Sequence, residues 1–191
     1  MNPPIWGNFV YYADYDVLAF ASLFQGGLRV AAYYHAIQAL EKYFKALALS
    51  IIDPEGRTHP YPKDKHRLND HNLARLAERC VAKFPYYGTP EVQLTLKRFS
   101  EFDQSTRYPW VERALDNGFT SADVPVICDL LLHLRTDIPL LIDDYPLGMS
   151  VRGHRHHHPE HAENPDCAAI QAPALASART VIPQIEKMVR W

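Results

Sequence analysis

Three cysteines in 191 residues, Cys80, Cys128 and Cys167, are too few and too far apart for a disulfide framework. Cys80 and Cys128 fall on expected apolar helix faces and read as small buried hydrophobes, so a reducing, cytoplasmic setting is expected. No run of about 18 apolar residues occurs, and MNPPIWGNFVYYADYD has no basic segment leading into an apolar one, so neither a membrane span nor a signal peptide is expected. A surplus of positive charge is also missing. Lys and Arg number 20 against 22 Asp and Glu, a net charge of −2, which excludes a uniformly basic nucleic-acid coat and leaves room only for local patches. Strand signals are scarce and there is no internal repeat.

What the chain has is helical periodicity, at a length suited to one domain with a substantial core plus an extension. The expected fold is an all-α, up-and-down bundle of about five helices over residues 1–145, followed by a flexible His- and Pro-rich linker and a short C-terminal helix over 146–191. Asp14 is a suitable N-cap for a first helix ending at Phe24, which would bury Val17, Phe20, Ala21 and Phe24 before Gly26 and Gly27 stop it. A second helix should run from Leu28 until Asp53, Pro54 and Gly56 end it. A third, capped by Asp70 or Asn72, carries Leu73, Leu76, Ala77, Cys80, Val81 and Phe84 as its buried stripe. Thr89, Pro90 and Glu91 start a fourth, with Val92, Leu96 and Phe99 facing inward. A short turn is expected from Pro109 to Gly118. The last bundle helix should span Val124 to Asp144, with Pro139 kinking or interrupting it, and a tail helix should form near Thr180 to Trp191.

The second helix is the most informative segment. Ile37, Leu40, Phe44, Leu47 and Ile51 share its buried face, while His35, Gln38, Lys42 and Lys45 follow the same spacing on a neighbouring face. Two ammonium groups, an amide and an imidazole in one row would attract phosphate or another anion. The competing reading is a solvated face braced by a Glu41 to Lys45 pair at i,i+4.

The run HAIQALEKYFKALAL, then HNLARL at 71–76 and TRYPW at 106–110, resembles the HEPN (higher eukaryotes and prokaryotes nucleotide-binding) family, whose long second helix carries an AxEKxxKA core. Gln38, Ala39, Glu41, Lys42, Lys45 and Ala46 match that core, and the likeness covers about residues 12 to 145. The resemblance implies a homodimeric helical bundle that binds nucleotide or RNA, needs no cofactor, and works in toxin–antitoxin-like or nucleotidyltransferase-associated systems, with a nucleotidyltransferase as partner protein. It also implies that Arg107 and Tyr108, in the RYP element, join His35, Gln38, Lys42 and Lys45 as ligand-binding candidates. For Arg107, an ion pair to Glu41, Glu101 or Asp103 that pins the loop is the equally simple alternative.

Catalytic members of that family are metal-independent RNases that place an Arg and a His a few residues apart at the start of the last bundle helix, where His moves a proton and Arg holds the scissile phosphate. Here that helix offers His133 and Arg135 in reversed order and too close together. Arg29 and His35 have the spacing but lie on different sides of the second helix, which suits an interface Arg and a packed His better than a catalytic pair. In RGHRHHHPEH, the side chains of His156, His158 and His161 could meet zinc, nickel or copper, although such a tract more simply has adventitious metal affinity. Three functions are therefore carried forward: a nucleotide- or RNA-binding module without RNase activity, an RNase with Arg and His in non-standard positions, and a helical dimerisation or adaptor domain.

Overall fold

Apolar residues at Trp6, Val10, Ala13, Val17, Phe20 and Phe24 recur at steps of three and four, and one helix collects them all on one side. The computed structural model describes residues 6–54, 70–107, 120 and 122–138, with the side chains of 8 and 102–107 outside that description. The described residues form an all-α bundle of five helices, α1 Gly7–Gln25, α2 Arg29–Ile52, α3 Leu73–Glu78, α4 Pro90–Arg107 and α5 Asp123–Asp137, with a 3-10 turn at Pro85–Gly88. No strand occurs among them. The expected turn after Pro109, the linker, the tail helix, Tyr108, the Arg107 side chain and the His156, His158 and His161 tract all lie outside the described residues.

The first helix begins two turns earlier than its Asp14 signal suggests. Asp14 sits mid-helix and is 4% exposed, because partners from two other helices satisfy it there. Its C-terminus closes as expected. Gly27 takes φ +76°, the Leu28 N–H donates to the Leu23 carbonyl (2.9 Å) and the Gly27 N–H to the Phe24 carbonyl (3.0 Å), the paired bonds of a Schellman turn that needs a left-handed residue. Nothing approaches the Gly27 Cβ position, so conformation alone selects glycine there.

The turn folds α2 back antiparallel to α1. At 24 residues α2 is about 36 Å long, and α1, α3, α4 and α5 all pack on it. Every residue from Tyr43 to Ser50 is buried, so the second half of α2 forms the centre of the core. Tyr43, Phe44, Phe20, Tyr87 and Phe99 are the large aromatic side chains fully enclosed around it.

The expected third helix is shorter than its apolar period. It begins as read, with the Asn72 side chain accepting from the Arg75 N–H (3.1 Å) and Asp70 accepting from the Asn72 N–H (3.0 Å). It ends at Glu78 and passes through tight turns to Phe84, whose extended backbone (φ −129°, ψ 83°) is what a residue preceding proline requires. Leu73, Leu76, Ala77 and Cys80 are buried, whereas Val81 and Phe84 are only half-buried. Gly88 packs so tightly against Val81 that a Cβ would lie 2.8 Å from Cγ1, which folds the 3-10 turn against the segment after α3.

α4 starts at Pro90 as its signal predicts, with the Thr89 carbonyl accepting from the Gln93 N–H (2.9 Å), and it buries Val92, Leu96 and Phe99. Ser100 Oγ accepts from the Leu73 N–H and donates to the Leu96 carbonyl, both at 2.8 Å, so α4 supplies a donor-satisfying group to the start of α3. α5 buries Val124, Ile127, Leu130, Leu131 and Leu134. Its described part ends at Asp137, with Ile138 extended (ψ 122°) as a residue preceding proline requires, and the expected stretch from Pro139 to Asp144 lies outside the described residues. Cys80 and Cys128 are buried and free, and burial pushes both thiols up to about 12.

Candidate functional site

The polar row on α2 divides by burial. At its outer part, Asp16 of α1 reaches across the hairpin. The His35 Nδ1 lies 2.9 Å from Asp16 Oδ1, and the Lys42 Nζ donates to Asp16 Oδ2 at 2.5 Å and to Gln38 Oε1 at 3.4 Å. A carboxylate only accepts, so Nδ1 carries the hydrogen in this contact and the Nε2 edge is turned away from Asp16. His35 and Lys42 keep 33% and 26% of their side chains exposed, while Asp16 keeps 14%. The cluster is therefore open to an incoming group on its imidazole and ammonium side. Ammonium carries three N–H donors, and Asp16 and Gln38 engage two of them.

Lys45 is set apart from that group. Its Nζ donates to Glu41 Oε1 at 2.7 Å inside a pair whose side chains are 9% and 7% exposed. The His71 Nδ1 lies 3.1 Å from each Glu41 carboxylate oxygen and covers the pair from the start of α3. Burial raises the Glu41 carboxyl, but hydrogen bonds and charge from Lys45 and His71 outweigh it and hold the group below its ordinary value. The i,i+4 pair is thus present as expected and buried beyond expectation. Of the six ligand-binding candidates, the structure brings His35, Gln38 and Lys42 together, puts Lys45 on Glu41, and does not describe the side chains of Arg107 and Tyr108.

Between the row and the core lies an ion pair that the sequence did not announce. The Asp14 carboxylate accepts from Tyr43 Oη and, at 3.2 Å, from Arg135 Nε of α5, with Asp14 and Arg135 each 4% exposed. Burial raises the Asp14 carboxyl to about 6 against the lowering pull of Arg135 and Tyr43. Arg135 therefore braces α1 against α5 and faces no solvent. His133, two residues away, is half-exposed and stacks on Tyr86 (centroids 4.3 Å apart), whose Oη donates to Asp129 at 3.0 Å. The two last-helix residues that the nuclease signature would use are thus committed to different surroundings. Arg29 is exposed at the start of α2, away from the Asp16 cluster that holds His35. Among the described residues, no group of three or more His, Cys, Asp or Glu could hold a metal ion, and no helix is long and apolar enough to cross a membrane.

Asp16 is the site residue that sequence reasoning missed. Its only prior sign was position, since an acid at 16 falls on the flank of α1 that an antiparallel hairpin turns toward positions 35 to 42. The fold and site define an all-α bundle whose α1–α2 hairpin carries a half-exposed His, Gln and Lys cluster built on a buried-side carboxylate. No family model, curated protein or solved structure matches this chain.

Proposed function

We propose that this protein is a HEPN-like nucleotide- or RNA-binding module without RNase activity, acting as a homodimer in a toxin–antitoxin or nucleotidyltransferase-associated setting. The observation that carries the reading is the convergence of His35, Gln38 and Lys42 at one half-exposed spot on the α1–α2 hairpin. The commitment of Arg135 to Asp14 in the core supports the absence of nuclease chemistry at the last helix. Asp16 offsets the Lys42 charge locally, so the site works through directed N–H donors more than through field strength, and its occupant contributes about one phosphate contact. Binding should then fall only shallowly with salt, with a logarithmic slope of about −0.7 to −0.9.

Titration of ATP and a short RNA in EDTA checks this. Lys42→Ala should weaken both ligands about tenfold, the range of one charge-assisted hydrogen bond, and the RNA should stay intact. Lys45→Ala serves as the contrast, because its ammonium is buried on Glu41 and its loss should lower stability more than affinity. Equal or absent binding in wild type and Lys42→Ala would leave the adaptor reading, and cleavage that disappears in His35→Ala would establish the RNase. The homodimer is tested separately by light scattering, where the expected mass is twice the 21.9 kDa of one chain and a single-chain mass refutes it.

A further inference from the structure

Tyr12 is 59% exposed, an uncommon position for a ring that could have been packed. It stands edge-on to Tyr11 (centroids 5.4 Å apart, planes at 77°), and Tyr11 stands edge-on to Tyr15 (4.9 Å, 78°) and donates from its hydroxyl to the Tyr15 hydroxyl at 3.0 Å. Tyr11 and Tyr15 thus form a braced pair that fixes the base of the Tyr12 ring while much of that ring meets solvent.

The position of this ring matters because Tyr12 and Asp16 are i,i+4 on α1 and so are neighbours on one helix face. Asp16 holds His35 and Lys42, and the hairpin is antiparallel, so moving from Asp16 to Tyr12 along α1 runs toward the Lys42 end of α2. Along α1, Tyr12 is thus about one helical turn, on the order of 5.4 Å of rise, from Asp16, the residue that holds the Lys42 ammonium. That is the scale of a nucleoside between its base and its phosphate. An exposed π face one helical turn from the carboxylate that holds a cation, with the local charge otherwise balanced by that carboxylate, suits a stacked base carrying a phosphate better than it suits a bare polyanion.

We infer that Tyr12, braced by Tyr11 and Tyr15, is a nucleobase-stacking platform that works with Lys42 and His35, so that the ligand of the α1–α2 hairpin is a nucleotide or an unpaired RNA nucleotide. This rests on the phosphate-binding reading of the same hairpin, and the test separates the two. The full-length protein, Tyr12→Ala, Tyr12→Phe and Lys42→Ala are titrated with ATP and with inorganic tripolyphosphate. Tyr12→Ala should weaken ATP about tenfold, the loss expected when one base–aromatic stack is removed. Tyr12→Phe, which keeps the ring, should bind ATP as wild type does, and neither change should alter tripolyphosphate binding. Lys42→Ala should weaken both ligands.

Undiminished ATP binding by Tyr12→Ala overturns the platform while leaving the phosphate site standing. Equal loss of ATP and tripolyphosphate in Tyr12→Ala also overturns it, by showing that the ring only supports the cluster. Absence of binding by wild type removes both readings, and a change of solution mass in Tyr12→Ala with unchanged ATP affinity assigns the ring to a protein interface instead.

Discussion

Arg135→Ala is expected to destabilise the fold by about 3–5 kcal/mol, the cost of leaving a buried charge without its partner. Arg135 is 4% exposed and its Nε donates to Asp14 at 3.2 Å, so its removal leaves the Asp14 carboxylate in the core with Tyr43 as its remaining donor in this contact. Asp14 belongs to α1, Tyr43 to α2 and Arg135 to α5, so the loss is felt where three helices meet. The companion variant, Asp14→Leu with Arg135→Met, replaces the pair by apolar side chains and should be close to wild type in stability, since a buried ion pair is weak evidence of net stabilisation even when breaking it is costly. Urea unfolding of the three proteins at pH 7 measures both. A loss below about 1 kcal/mol in Arg135→Ala would show that the pair does not carry the junction.

Acidification from pH 7 to pH 5 should raise stability, by about 1.4 kcal/mol at one side chain. Burial lifts the Asp14 carboxyl from 3.8 to about 6, so the folded chain holds this proton more tightly than the unfolded chain does. Between those two values folding takes up a proton, and stability increases as pH falls. Glu41 acts with the opposite sign, because Lys45 and His71 hold its carboxyl below 4.5 in the folded state despite burial. Its contribution is present above that value and is lost as pH drops through the lowered one. Of these two groups, Asp14 keeps stability rising as pH falls from about 6 toward 4.5, and below 4.5 the Glu41 loss opposes the remaining Asp14 gain. Thermal unfolding across pH 4–8 would show it, and the part of the gain due to Asp14 should vanish in Asp14→Asn. A wild-type melting temperature that falls steadily from pH 7 to pH 5 contradicts the assignment.

Both expectations concern residues whose roles could not be read along the chain. Asp14 precedes an apolar period and looks like a helix cap, and the earlier aromatic stretch from Trp6 carries the same period in a form that is harder to see because Tyr11, Tyr12 and Tyr15 interleave it. Val81 and Phe84 continue the period of α3, yet Pro85 forces the residue before it out of helix and shortens the element. Lys45 follows Gln38 and Lys42 in register on α2, but the start of α3 lies over that end of the row and covers it. In the outer cluster, Asp16 is 19 residues from His35 and 26 from Lys42, and no local pattern links them.

The linear sequence by itself determined the secondary structure class, the long α2 and its stop before Asp53 and Pro54, the Gly26–Gly27 turn, the Asn72 and Pro90 starts, and the inward sides of α4 and α5. These follow from short-range causes, namely side-chain period, capping and backbone preferences, which act within a few residues. Tertiary structure alone decided which charges are buried and which can meet a ligand. Arg135 and Lys45 are enclosed on Asp14 and Glu41, whereas His35 and Lys42 stay open around Asp16, because helices distant in sequence cover one end of α2 and leave the α1–α2 seam near His35 exposed. Burial and ion pairing depend on which neighbours arrive in space, and a side chain's own sequence surroundings do not specify them.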